Sequence, residues 1–199
     1  MILPDIEIWQ SFLLGNKSSL EQLLSLHYRS LYNYGSKYTR DTELIKDCIQ
    51  ELFLGLWQRR AKLNREVHPK AYLIASFRRL LHRKLQMENR FLKFKMSGDA
   101  SAYFNFELSI EDKIIADESL RRQAEKITTL IATLPKRQKE VIYLKFYQNL
   151  CRDEIATVMG NNHQTVSNLL QLALKKLRNG LPPDALLLFC SLIIITIAL

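Results

Sequence analysis

The sequence predicts an all-α protein with two small helical domains, an N-terminal bundle and a C-terminal helix-turn-helix, joined by a linker and followed by an apolar tail. Apolar residues recur at helical spacing in several segments, and no segment alternates as a strand would. A polar, acidic stretch around Ser97–Ser101 separates two basic segments. The length of 199 residues fits one or two small domains.

The composition excludes several classes of protein. Apolar residues make up 47% and charged residues 25% of the chain, which are ordinary values for a globular protein. They disfavour disorder, collagen-like repeats and a multi-span membrane protein. Cys48, Cys151 and Cys190 lie far apart and form no CxxC pair, so neither a disulfide framework nor a zinc site is indicated. A reducing cytoplasm is therefore expected. The acidic start of the chain also lacks the basic region of a secretory signal.

Positive charge is concentrated in two places. The chain has 29 Lys plus Arg against 20 Asp plus Glu, a net charge of +9. Eight of these bases lie between Lys70 and Lys95, with Glu88 as the only acid, and a second basic stretch runs from Pro135 to Gly180. Such an excess on a small chain indicates an anionic partner, either nucleic acid or a membrane surface.

In the first half, apolar residues between Leu13 and Leu31 suggest early helices, and two later helices are predicted in more detail. The first carries an apolar stripe over nearly four turns, with Asp41 as its N-cap. Its stripe consists of Leu44, Ile45, Cys48, Ile49, Leu52, Phe53, Leu56 and Trp57. The second follows Pro69 and runs from Ala71 to about Leu92, with its arginines largely opposite the apolar face. This second helix carries most of the first basic segment.

The segment from Leu134 to Arg178 divides into three helices with short breaks. Its middle helix, about Arg152–Met159, ends at Gly160, where a left-handed backbone has no Cβ clash. Asn162 can cap the last helix, whereas the thiol of Cys151 is a poor cap for the middle one. This is a helix-turn-helix layout, in which the last helix offers its N-terminal residues to the DNA major groove.

Two separate motifs resemble one family. In the second half these are LPKRQKEV from Leu134, the EIA of Glu154–Ala156, Gly160, the TV of Thr165–Val166 and the ALKKLR of Ala173–Arg178. In the first half, DCIQELFLGLWQRR (47–60) and HPKAYLIASFRRLLHRKL (68–85) stand in the matching order. The chain thus resembles the extracytoplasmic-function sigma factors of the sigma-70 family.

The resemblance implies a domain organisation and its partners. Residues 1–95 would form sigma region 2, 96–117 a linker, 118–181 sigma region 4 and 182–199 the tail. The implied partners are core RNA polymerase, promoter DNA and an anti-sigma factor, in some cases membrane-bound, with no small-molecule substrate. The implied polymerase-binding residues are Asp47, Gln50 and Glu51.

The resemblance also implies two sets of DNA-binding residues. The loop 64–70 would hold a flipped base of the promoter −10 element. The −10 set is His68, Lys70, Tyr72, Arg78, Arg79 and Arg83. The −35 set is His163, Gln164, Thr165, Ser167, Asn168, Gln171, Lys175 and Arg178.

The chain departs from the family pattern in both sets. Arg79 stands where Asn is usual and Arg83 where Asp is usual, so positive charge is gained as base-reading groups are lost. In the recognition helix, Ser167, Leu169 and Leu172 stand where basic residues are usual. Asn and Gln remain able to pair with adenine through two hydrogen bonds. Weak binding by this module alone is expected.

No enzyme signature is present in the sequence. The four histidines show no ligand spacing with the cysteines, and neither a P-loop nor a GxSxG motif occurs. The sequence therefore predicts no catalytic activity, no metal and no cofactor.

The chain ends in ALLLFCSLIIITIAL, 15 residues without charge. As a helix this segment would span about 22 Å, short of a hydrocarbon core of about 30 Å. Packing on the protein itself, docking to a partner and insertion into the inner-membrane surface stay open, with a partner-covered tail as the first choice.

These observations together predict an alternative sigma factor in the cytoplasm, with association to the inner membrane through its partner or tail as a further option. Two other functions stay open. One is a helix-turn-helix regulator that acts without polymerase. The other is a membrane-proximal interaction protein, derived from a sigma factor, that titrates an anti-sigma partner.

Overall fold

The computed structural model describes residues 3–91, 104–106 and 126–180, and every regular element in them is a helix, which confirms the all-α class. The first four helices are α1 (Leu3–Leu13), α2 (Lys17–Gly35), α3 (Thr42–Arg59) and α4 (Pro69–Phe91), with one 3-10 turn at Arg60–Lys62. The later ones are α5, described over 126–132, α6 (Lys136–Phe146), α7 (Arg152–Met159) and α8 (His163–Gly180).

Contacts between residues divide the chain into two units. One consists of Met1–Tyr103 with Ala156–Asn161, and the other of Phe104–Ile155 with Asn162–Leu199. The predicted linker around Ser97–Ser101 and the apolar tail at 185–199 lie outside the described residues. Within the described part of the chain, no helix is long and apolar enough to cross a bilayer.

The first unit packs α1–α4 around an aromatic and aliphatic core. Six of the eight stripe residues of α3 are buried, while Leu44 and Trp57 lie at its edge. Asp41 caps α3 as predicted, because its Oδ1 accepts from the backbone N–H groups of Glu43 and Leu44 at 3.0 Å each. At Gly35 a Cβ would lie 3.0 Å from Ile45 and from Phe77. This glycine therefore lets α2 approach α3 and α4 closely.

An aromatic cluster forms part of the core of the second unit. Phe104 and Phe106 are 0% and 2% exposed. The Phe106 ring lies 5.1 Å from that of Tyr143 and 5.0 Å from that of Tyr147, and these two tyrosines stack at 5.3 Å. Both phenylalanines fall inside the range predicted as linker. At these residues the chain is therefore packed against α6 and is not a free tether.

Capping explains the helix-turn-helix locally. Gly160 follows α7 with a φ of +63°. Asn162 Oδ1 accepts from the backbone N–H of Thr165 at 2.7 Å and so caps α8 as predicted. At the start of α7, the backbone N–H of Cys151 donates to Glu154 Oε2 at 2.7 Å. This half of a capping box supports the start of α7, where the Cys151 side chain is a poor cap.

We expect Gly160→Ala to destabilise the protein by about 1 kcal/mol, because an L side chain is disfavoured at positive φ. The cost is purely conformational, since a Cβ at Gly160 would meet nothing within 4 Å. Urea denaturation measures the difference. Gly160→Asn is the matched control, because Asn tolerates this conformation better and should cost less. Equal losses for alanine and asparagine would contradict this explanation.

Candidate functional site

One exposed face of α3 carries the residues predicted to bind polymerase. Asp47 and Gln50 are exposed, and the Glu51 side chain is 46% exposed. Leu54, which follows at the same helical spacing, is 64% exposed. The structure thus brings the three predicted residues together and adds an apolar one. Sequence reasoning missed Leu54, although its position outside the buried stripe could have indicated it.

Glu51 is bound by two cations of α4. Arg83 Nη2 donates to Glu51 Oε1 at 2.9 Å, and Lys84 Nζ lies 2.9 Å from Oε2. The hydrogen bond from Lys84 is the main reason that the pKa of the Glu51 carboxyl is lowered, so Glu51 is charged at neutral pH. A residue predicted for polymerase binding therefore pairs with one predicted for DNA binding.

The six predicted −10 residues of α4 and its preceding loop differ in exposure. His68, Arg79 and Arg83 are exposed, and Lys70 is half-buried. Arg78 is only 9% exposed, which places it on the buried side of α4, contrary to the predicted separation of arginines from the apolar face. A phosphate contact by Arg78 would require its side chain to leave this position.

The loop before α4 is held from α1. The indole Nε1 of Trp9 donates to the backbone carbonyl of Asn64 at 3.1 Å. The ring of Trp9 also lies 5.4 Å from that of Tyr72, whose side chain is half-buried. Tyr72 is therefore part of the packing that positions this loop, and Asn64 Oδ1 closes a turn by accepting from the N–H of Glu66 at 2.9 Å.

A cleft of about 480 Å³ runs along the exposed face of α8. It brings together four predicted −35 residues. The lining residues are Arg152, Ser167, Gln171, Leu174, Lys175 and Arg178. The sequence missed Arg152, which α7 supplies. Helical spacing in the last helix predicts a buried stripe of Val166, Leu169, Leu170, Ala173, Leu174 and Leu177, and this prediction is wrong at Leu174, which is 38% exposed. The cleft thus combines three cationic side chains with the hydroxyl of Ser167, the amide of Gln171 and the apolar side chain of Leu174. This combination suits a nucleic acid, whose phosphates are anionic and whose base edges form hydrogen bonds.

The other predicted −35 residues lie at the start of α8, outside this cleft. Gln164 Nε2 donates to Asn168 Oδ1 at 3.0 Å, so the two amides form a pair on the surface. The ring of His163 lies 3.8 Å from the carboxylate of Asp153. Thr165 is half-buried, and its backbone N–H is used by the Asn162 cap. Gln164 and Asn168 are therefore exposed amides within the first two turns of α8.

Two family models match the chain. The model for Sigma-70 region 2 matches residues 23–91, and that for Sigma-70, region 4, matches residues 124–177, together more than half of the chain. The chain belongs to the sigma-70 family. The resemblance inferred from the sequence is thereby confirmed. No curated protein matches the sequence.

Solved structures with the same fold include two complexes. One is CnrH with the cytosolic domain of CnrY, at 18% identity and a TM-score of 0.57, covering 88% of this chain and 95% of that one. The other is the sigma factor RpoE with the anti-sigma factor NepR from Bartonella quintana, at 14% identity and a TM-score of 0.56, covering 80% and 94%. At these identities the likeness shows the fold.

The sigma-70 matches can be placed on the surfaces described above. The region 2 match contains α3, α4 and every predicted residue of the first unit. The region 4 match contains α6, α7 and most of α8 and ends one residue before Arg178. Both candidate surfaces of this sigma-70 protein therefore lie in family regions, with Arg178 at the edge of the second.

Proposed function

We propose that this protein is an alternative sigma factor of the extracytoplasmic-function class, which binds core RNA polymerase and directs promoter-specific initiation of transcription. The observation that carries the proposal is the exposed α3 face in the same chain as a cationic helix-turn-helix cleft. The acidic residues and Gln50 on α3 suit a basic, hydrogen-bonding partner. Core polymerase is the partner that the family relationship supports.

The −10 element is contacted by α4 and the loop before it. Arg79 and Arg83 bind phosphates, because both are exposed cations on one helix. His68 and Lys70 lie where the loop that Trp9 holds meets the start of α4, and this loop receives an unstacked base. Tyr72 supports the loop by packing on Trp9, and the buried Arg78 contributes to the packing of α4. Neutralised phosphates release counterions, so binding weakens steeply with salt.

The −35 element is contacted by the cleft and by the start of α8. Lys175, Arg178 and Arg152 hold the phosphates and set the register of the helix on the duplex. Gln171 and Ser167 in the cleft, with Gln164 and Asn168 at the N-terminus of α8, face the base edges. Glutamine and asparagine side chains pair with adenine through two hydrogen bonds, so an A-containing element is the preferred target.

An anti-sigma factor is the proposed regulatory partner. The support is the common fold with CnrH and RpoE, each solved with a bound partner chain. The apolar tail at 185–199, which lies outside the described residues, is proposed to be covered by this partner. Co-purification of the full chain with a protein encoded beside it, lost on deletion of 185–199, tests this point.

In vitro transcription with added core polymerase tests the function as a whole. Core enzyme with this protein should produce discrete transcripts from a library of promoter fragments, and core enzyme alone should not. Absence of any specific transcript would contradict the proposal. DNA binding without transcription would favour a helix-turn-helix regulator, and neither activity would favour an interaction protein that titrates a partner.

We expect Lys175→Met and Gln171→Ala to weaken DNA binding in different ways. Loss of the Lys175 phosphate contact weakens binding to all sequences and lowers the salt slope by about 1. Loss of Gln171 relaxes selection at one position, at a cost of about 1 to 3 kcal/mol on the preferred sequence only. Selection of binding sequences by the polymerase complex, followed by salt titrations, measures both. Lys136→Met, an exposed lysine at the start of α6, is the control for charge alone.

A further inference from the structure

The ion pairs of Glu51 connect two surfaces to which the proposed function gives different partners. Glu51 lies on the polymerase-facing side of α3, and Arg83 lies on the DNA-facing helix α4. Their side chains are 46% and 60% exposed, so both remain accessible to a partner. In the free chain, a hydrogen bond of 2.9 Å therefore pairs the Arg83 guanidinium with the Glu51 carboxylate.

We propose that Arg83 exchanges partners, binding Glu51 in the free protein and a DNA phosphate in the promoter complex, so that polymerase docking at Glu51 releases Arg83 for DNA. This inference rests on the proposed function. A guanidinium that donates to a carboxylate cannot direct the same N–H groups to a phosphate. A polymerase cation brought to Glu51 also repels Arg83, which weakens the pair within the first unit.

Lys84 has a positioning role in this exchange. Its ammonium group binds Oε2 of Glu51 while Arg83 binds Oε1, and the Lys84 side chain is only 27% exposed. When Arg83 leaves, Lys84 still holds the carboxylate on the α3 face. Glu51 therefore stays oriented for polymerase during the exchange. Because linkage is reciprocal, DNA bound at Arg83 also makes Glu51 more available to polymerase.

Binding of the free full-length chain to single-stranded DNA tests the exchange. The probe is a fluorescent 20-mer oligonucleotide of mixed sequence, because phosphate contacts carry no sequence information. E51Q keeps the shape of the side chain and removes its charge. We expect E51Q to bind the probe about two- to fivefold more tightly than the wild type, the range of an exposed ion pair.

Two further variants separate release of Arg83 from a general change of charge. E43Q removes the same charge from the same helix, where Glu43 pairs with Lys46 of that helix at 2.7 Å. Its gain in affinity should be smaller than that of E51Q. R83Q should weaken binding more in the E51Q background than in the wild type. The difference between the two R83Q effects measures the DNA affinity that Arg83 adds once Glu51 no longer pairs with it.

The outcomes distinguish the inference from the proposed function. Equal gains for E51Q and E43Q, or an R83Q effect that does not depend on residue 51, would overturn the exchange while leaving the sigma-factor function intact. If both the wild-type chain and E51Q fail to bind the probe at every salt concentration, the exchange is overturned, because release of Arg83 then adds no contact to DNA. The sigma-factor function is decided separately, by transcription with core polymerase.

Discussion

Replacing Glu51 with lysine should lower the affinity for core RNA polymerase at least about 30-fold, the effect of losing a central interface residue. The change removes the carboxylate from the α3 face and places an ammonium group there. The new cation also faces Arg83 and Lys84, each of which lies 2.9 Å from the Glu51 carboxylate in the unsubstituted protein. Repulsion from three neighbouring cations then opposes a basic partner at this face. Fluorescence anisotropy of labelled protein titrated with core enzyme measures the affinity.

Controls separate docking from folding in this experiment. Glu21 is an exposed acid on α2, so Glu21→Lys makes the same change of charge away from α3. Its affinity should stay within about twofold of the wild type, since an exposed charge away from an interface contributes little to affinity. Circular dichroism should show that both variants retain their helices. Unchanged polymerase binding by Glu51→Lys would contradict the docking role of α3.

Replacing Phe106 with alanine should lower the free energy of unfolding of the second unit by about 3 to 5 kcal/mol. Phe106 is 2% exposed, and its ring contacts those of Tyr143 and Tyr147. The substitution leaves a cavity beside the buried ring of Tyr143 and the half-buried ring of Tyr147. Tyr143 is only 3% exposed, and this burial raises the pKa of its phenol to about 12. Urea denaturation followed by circular dichroism measures the loss.

The position of the tryptophans makes this experiment selective. Trp9 and Trp57 are the only tryptophans, and both lie in the first unit, so tryptophan fluorescence reports on that unit. Asn105 is exposed between the two phenylalanines, and Asn105→Ala is the matched control, with an expected change within about 0.5 kcal/mol. If Phe106→Ala unfolds like the wild type, the cluster does not stabilise the second unit.

The sequence alone was sufficient where the deciding interactions are local. The stripe of α3 and its Asp41 cap follow from spacing and from a hydrogen bond two or three residues away. The same holds for the end of α7 at Gly160 and the Asn162 cap of α8. The acidic face of α3 could be predicted as well, because residues outside a buried stripe must face away from the core.

The sequence misled where a residue's environment depends on distant parts of the chain. Phe104 and Phe106 lie in a polar stretch that resembles a linker, and only their packing on α6 shows that they belong to a core. Arg78 and Arg79 are adjacent and chemically identical, yet one is 9% exposed and the other is exposed. The periodicity of α4 gave the face that is buried but not its width, which depends on the neighbouring helices.

By itself, the sequence determined the helical class, the caps, the two basic segments and the resemblance to a family, because each rests on neighbours along the chain or on residue types in a fixed order. The tertiary structure decided that Glu51 meets Arg83 across 32 positions and that Arg152 completes the cleft of α8. Side chains from different helices come together only when the helices pack, and no local pattern encodes that distance.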